Sequence, residues 1–163
     1  MIHNLVDSTD GFSRKTIGWL EALDQFQSKS DFTLLQSLLL VQKGTVEKAL
    51  EILAGERIGL RIVKQTETKG IINRDSVLYG LYSGRQLVHA HSKIKTDLLP
   101  ERVNSMIRKG HVGIGRVIEH CQLEIYMLII ETGHDKLTAH PFRIYRIKHK
   151  NKMAIEIRET LLI

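Results

Sequence analysis

Cysteine occurs once in this sequence, at Cys121, so no disulfide can form within the chain and a reducing, cytoplasmic setting is expected. No uninterrupted apolar run approaches the ~18 residues that a membrane span requires, so no membrane association is expected. The opening M-I-H-N-L-V-D-S-T-D carries acids and no basic stretch leading into an apolar core, so it is not expected to be a secretory leader. Proline is also scarce, with two residues in 163, and no Pro, Gly or Ser tract marks a linker. One domain spanning residues 1–163 is expected, long enough to bury a core and too short for two.

Aromatic residues make up only 6% of the chain, too few for a base-stacking platform. The net charge of +6 nevertheless calls for an anionic partner. Nucleic acid, a membrane surface and small carboxylates all qualify by charge, but the 24 Lys and Arg are scattered rather than gathered into a stripe, and no nucleic-acid partner is expected.

What the sequence does contain is a change of period. Leu34, Leu35, Leu38, Leu39 and Val41 follow helical spacing, and K-G-T-V-E-K-A-L-E-I-L-A-G then reads as a helix capped by the Thr45 hydroxyl and stopped at Gly55. From residue 57 the spacing becomes two. R-I-G-L-R-I-V-K alternates as a half-buried strand, and two further strands, at 71–81 and 86–95, are joined by a turn at Ser83 and Gly84. A helix opening near Pro100 separates these from a long strand over 121–131, a strand that begins at Pro141, and a closing strand from Met153. The pattern predicts an α+β fold, a six-stranded antiparallel sheet with helices packed at one face. Phe12, Trp19 and Phe26 read as core.

Two charged residues interrupt apolar faces. Met153, Ile155, Ile157 and Leu161 share a face of the last strand with Glu159, so a cation, a ligand or an exit to solvent must accompany that carboxylate. Arg74 shares a face with Ile72 and Leu78, either as rim decoration or as a planar fork for a carboxylate in a dry pocket. His89 and His91 alternate on one face of the third strand without a carboxylate or thiol nearby, and no metal site is expected. Cys121 and His120, adjacent on the expected fourth strand, would point to opposite faces and could not act as a nucleophile pair.

The segment R-K-G-H-V-G-I-G-R-V invites a phosphate-loop reading, but its G-x-x-G-x-G spacing matches neither nucleotide fingerprint. It follows a helix and is expected to precede a strand. Its glycines still allow backbone N–H groups to approach a small anion.

In order along the chain, L-L-L-V-Q-K-G-T-V-E-K-A-L, I-N-R-D-S-V-L-Y, V-H-A-H-S-K-I, H-V-G-I-G-R-V and I-R-E-T-L-L resemble the chorismate lyase family, including its divergent bacterial and archaeal 4-hydroxybenzoate synthase branch. The resemblance implies a cofactor-independent lyase that converts chorismate, a small anionic substrate, to 4-hydroxybenzoate and pyruvate. Arg74 and Glu159 are implied as the catalytic pair. Thr45, Ile114 and Gly115 are implied as carboxylate contacts, His91 is counted with the binding residues, and Arg146 is a candidate for the pyruvyl carboxylate or surface decoration. The alternative implied by the same fold is an effector-binding domain that holds an aromatic acid without turning it over.

Overall fold

A computed structural model describes residues 32–163. The expectations for Phe12, Trp19 and Phe26 and for the N-terminal leader lie outside the described residues. Within them, six strands form one sheet: β1 (Ile58–Thr68), β2 (Ile71–Gly80), β3 (Gln86–Lys95), β4 (Tyr126–His134), β5 (Pro141–His149) and β6 (Lys152–Leu161). Their spatial order is β1-β2-β3-β6-β5-β4, and every neighbouring pair is antiparallel. The sheet is therefore two three-stranded meanders whose last strands, β3 and β6, pair at the centre. This is the α+β architecture that alternation in the sequence predicts.

Helices α1 (Leu34–Val41) and α2 (Val46–Ala54) precede the sheet; a 3-10 turn (Thr96–Leu98), α3 (Glu101–Lys109) and α4 (Ile114–His120) cross between the meanders. Thr33 and Gln36 close a capping box at the start of α1. Gly55 and Gly110 end α2 and α3 at φ of +67° and +70°, where a side chain would be strained. Asn104 of α3 donates to the carbonyls of Thr96 and Leu99, which binds the helix to the turn before it.

Two local expectations are corrected. Residues 121–125 are not strand: the chain is helical over Ile114–His120, and β4 begins only at Tyr126. Ile114, Val117 and Ile118 carry an i, i+3, i+4 stripe that is buried against the sheet, and this outweighs the β-branched composition of the segment. His120 thus ends α4 and Cys121 caps it, with Cys121 Sγ 3.7 Å from Met106 Sδ. The second correction is at Thr45, which occupies the N-cap of α2 but makes no capping hydrogen bond.

All four α-helices among the described residues lie over the same sheet face. One core cluster joins α3 and α4 to β2, β3, β5 and β6, through Val103, Ile107, Val117, Ile94, Ile147 and Ile155; a second joins α1 and α2 to β1, β2, β3 and β6. The other face carries ion pairs such as Asp75–His91 and Arg146–Glu156.

Candidate functional site

The inward face of the sheet has four rows of side chains. Cross-strand register aligns Ile72, Ile94, Ile155 and Ile147 in one outer row, and Leu78, Val88 and Leu161 in the other. Between them lie Arg74, Ser92, Ile157 and Tyr145, then Ser76, Ala90, Glu159 and Arg143. Large apolar side chains fill the outer rows, where the helices pack down. In the middle rows Ser76, Ala90 and Ser92 are short, and the helices bridge over them. The result is a cavity of about 330 Å³, at the low end of the ~300–1,000 Å³ usual for small-molecule sites. Leu60, Ile118, Leu123, Ile125, Met127 and Ile147 line its walls.

Arg74 lines this cavity and is 1% exposed, so it is no rim decoration. Its Nε donates to Gln65 Oε1 at 2.7 Å, its Nη1 to the Val112 carbonyl at 3.4 Å, and its Nη2 to the Ile107 carbonyl at the end of α3. Every one of these acceptors is neutral. No carboxylate among the described residues pairs with Arg74. Burial alone pulls its pKa down to about 10, which still leaves a cation at neutral pH.

Glu159 also lines the cavity, 4% exposed, and does not exit to solvent. The cation that accompanies it is Arg143, whose Nε and Nη2 both lie 2.7 Å from Oε2. The Tyr145 hydroxyl donates to Oε1 at 2.8 Å. Arg143 is wholly buried and also donates through Nη1 to the carbonyls of Leu39 at 2.9 Å and Gln42 at 2.7 Å. Burial works against its charge, but Glu159 and Tyr145 outweigh it, and the guanidinium pKa is raised. The Tyr145 hydroxyl is pushed well up by burial and by the Glu159 charge, so it remains a donor.

The roof is built where the starts of α2 and α4 meet. A Cβ on Gly115 would come within 2.9 Å of Thr45 Cγ2, and one on Gly113 within 3.0 Å of Glu47 Oε2. These two glycines are needed for helix-to-helix approach. Ile114, Gly115 and Arg116 open α4, where backbone N–H groups have no acceptor within the helix, and Gly113, Ile114 and Gly115 face the cavity. The Thr45 hydroxyl, released from capping, donates to Glu119 Oε1 at 2.5 Å. Glu47 is buried beside it and accepts from Arg116 Nε at 3.1 Å; desolvation raises its pKa and Arg116 only partly offsets this.

The structure therefore brings together Arg74, Glu159, Thr45, Ile114 and Gly115 around one cavity. His91 and Arg146 are not among them. His91 is exposed on the opposite sheet face, 2.7 Å from Asp75 Oδ1, because inward positions of β3 fall on Ala90 and Ser92. Arg146 sits on that same outer face, 2.6 Å from Glu156 Oε2. Sequence reasoning missed Lys43, Glu47, Ser76, Ala90, Ser92, Arg143 and Tyr145. The signal for three of these was a run of small residues at inward positions of adjacent strands. Among the described residues no group of three or more His, Cys, Asp or Glu side chains is placed to hold a metal.

No protein-family model matches the chain. A protein of Mycobacterium leprae (strain TN) named chorismate pyruvate-lyase is 29% identical over 103 residues, 55% of this chain. The chain spans about half the length of that relative, 49%. Similarity to a chorismate lyase is thus carried by sequence identity as well as by the ordered motifs. Among solved structures, the chain is similar to PhnF from Mycobacterium smegmatis (TM-score 0.49, 11% identity, 74% of this chain and 64% of that one) and to the isolated effector domain of PhnF (TM-score 0.49, 11% identity, 72% and 88%).

Proposed function

We propose that this protein is a chorismate lyase-like enzyme that releases pyruvate from chorismate and leaves 4-hydroxybenzoate. The observation that carries the reading is Arg74, a buried cation with only neutral partners, facing Glu159 across a floor of small side chains. β2 and β6 are separated by β3 alone, so the two residues stand about 10 Å apart across the sheet at the usual strand spacing. A six-membered ring with acid and hydroxyl groups at opposite ends fits between them.

Chorismate carries its ring carboxylate at C1, the enolpyruvyl ether at C3 and a hydroxyl at C4. The C4–H and C3–O bonds break, the ring gains its third double bond, and the hydrogen ends on the released pyruvate. Aromatisation drives the step, so the protein's task is positioning and charge stabilisation. Arg74 anchors the ring carboxylate, with the N–H groups opening α4 above it. Glu159, held in place by Arg143, accepts a hydrogen bond from the C4 hydroxyl and fixes the face on which the ether leaves. Both of its oxygens are already engaged, one by Arg143 and the other by Tyr145, which favours orientation over proton removal. The apolar walls keep water from the departing enolpyruvate.

A second reading is a ligand-binding domain without turnover. It is favoured by one feature: both oxygens of Glu159 already have protein partners, leaving no free acid or base at that end. Incubation with chorismate and chromatographic identification of products separates the two. Release of 4-hydroxybenzoate and pyruvate in equal amounts, lost by at least ~100-fold in Arg74→Gln, is expected. Tight binding of 4-hydroxybenzoate with no turnover at high protein concentration would establish the second reading instead.

A further inference from the structure

Five charged residues belong to the cavity lining: Lys43, Glu47, Arg74, Glu119 and Glu159. Each carboxylate has its own cation. Glu47 is bound by Arg116 at 3.1 Å, Glu119 by Lys48 at 3.0 Å and Glu159 by Arg143 at 2.7 Å. Of the two cationic residues in the lining, Arg74 is buried and Lys43 is exposed to solvent at the cavity's edge, and neither has a carboxylate partner among the described residues. Two positive charges are thus left for whatever enters, and one monoanion neutralises only half of them.

The two cations stand at different ends. Arg74 is tied to the carbonyls of Ile107 and Val112, at the end of α3 and the loop after it. Lys43 directly follows Gln42, whose carbonyl accepts from Arg143 at 2.7 Å, so its backbone is pinned over the end of the cavity where Arg143 holds Glu159. Gly44, Thr45 and Val46 continue along the same wall into the start of α2. Because the Thr45 hydroxyl is spent on Glu119, no side chain caps the first turn of α2, and its free N–H groups add to the positive potential beside Lys43.

We propose that Lys43, with the uncapped start of α2, binds a second carboxylate, and that the pocket selects rigid cyclic ligands bearing one carboxylate at each end. This rests on the reading that Arg74 holds the first carboxylate. It assigns the enolpyruvyl carboxylate to Lys43 and explains why the sheet-face arginine Arg146 is not needed for that role.

The test is calorimetry on the full chain with two non-reacting probes, benzoate as the monoanion and 3-(1-carboxyvinyloxy)benzoate as the dianion. Wild-type protein should prefer the dianion. Lys43→Gln should weaken the dianion by about 10- to 100-fold and benzoate by less than about 2-fold, the size expected for one charged hydrogen bond. Lys43→Arg should restore most of the loss, and Lys93→Gln on the outer face should change neither. If Lys43→Gln weakens both probes equally or neither, the inference fails while the Arg74 site stands. If the wild type binds neither probe, the Arg74 reading and the inference fall together.

Discussion

The Arg143–Glu159–Tyr145 cluster shows what a charge inside a sheet requires. Removing only Arg143 leaves an unneutralised carboxylate in the interior, and Arg143→Met should cost about 3–5 kcal/mol in denaturant unfolding. The Arg143→Met, Glu159→Leu double variant should recover a large part of that loss, because a buried pair replaced by apolar groups is close to neutral. A double variant as unstable as the sum of the singles would mean that the carbonyl contacts to Leu39 and Gln42, not the ion pair, hold the site. Glu47 offers a pH test. Its folded pKa is raised by burial, so the folded chain holds that proton more tightly than the unfolded chain. The stabilisation is full below the ordinary carboxylate range, near pH 4, and is lost as pH rises through the raised value. Thermal melts should therefore favour Glu47→Gln over wild type increasingly from about pH 4 to pH 7. A gap that narrows with rising pH would show that Arg116, not desolvation, governs the group. The sequence displayed Arg74 and Glu159 because each breaks an apolar alternation. It did not display Arg143, because F-R-I-Y-R-I-K places arginines on both faces of β5, and only the register with β6 shows that Arg143, not Arg146, turns inward.

At the scale of elements, strands such as β1 and β6 were legible from their period of two, since a one-residue slip would expose a whole apolar face, whereas the fourth was expected over 121–131 and runs Tyr126–His134. α4 was not legible. Its seven residues hold three β-branched side chains and a glycine, a poor local helix, and only packing of Ile114, Val117 and Ile118 on the sheet stabilises it. That makes the glycines at its start a matter of helix contact rather than of chain flexibility. Gly115→Ala would raise helix propensity by about 1 kcal/mol in isolation, yet it drives a methyl group into Thr45 Cγ2. The expected outcome is a stability loss of about 1–3 kcal/mol with weaker ligand binding, as overpacking costs elsewhere. Thr45→Ser removes the offending methyl and keeps the hydroxyl that reaches Glu119. The Thr45→Ser, Gly115→Ala double variant should regain both stability and binding. If it does not, the contact between α2 and α4 is not what Gly115 serves.

For the whole molecule, the cavity draws on both meanders. Arg74 comes from β2 in the first, Glu159 from β6 in the second, and the roof from α2 and α4, so no half of the fold contains the site. A ligand that spans it touches groups brought together only in the native chain and has no counterpart on the unfolded one. Such a ligand stabilises by mass action, about 2.7 kcal/mol at a free concentration 100-fold above its Kd. For a chain of this size that corresponds to a rise in Tm of roughly 5–10 °C. The shift also probes how Arg74 acts. In the free protein its guanidinium holds the end of α3 and the loop at Val112, so Arg74→Ala lowers the starting Tm by itself. A structural role alone would lower the melting temperature with and without ligand by the same amount, leaving the increment intact. A residue that binds the carboxylate loses the increment as well. Melts of wild type and Arg74→Ala across a titration of 4-hydroxybenzoate should therefore show a concentration-dependent rise in the first and a flat line in the second. Parallel rises in both would remove Arg74 from the binding site and leave it only as a tie between β2 and α3.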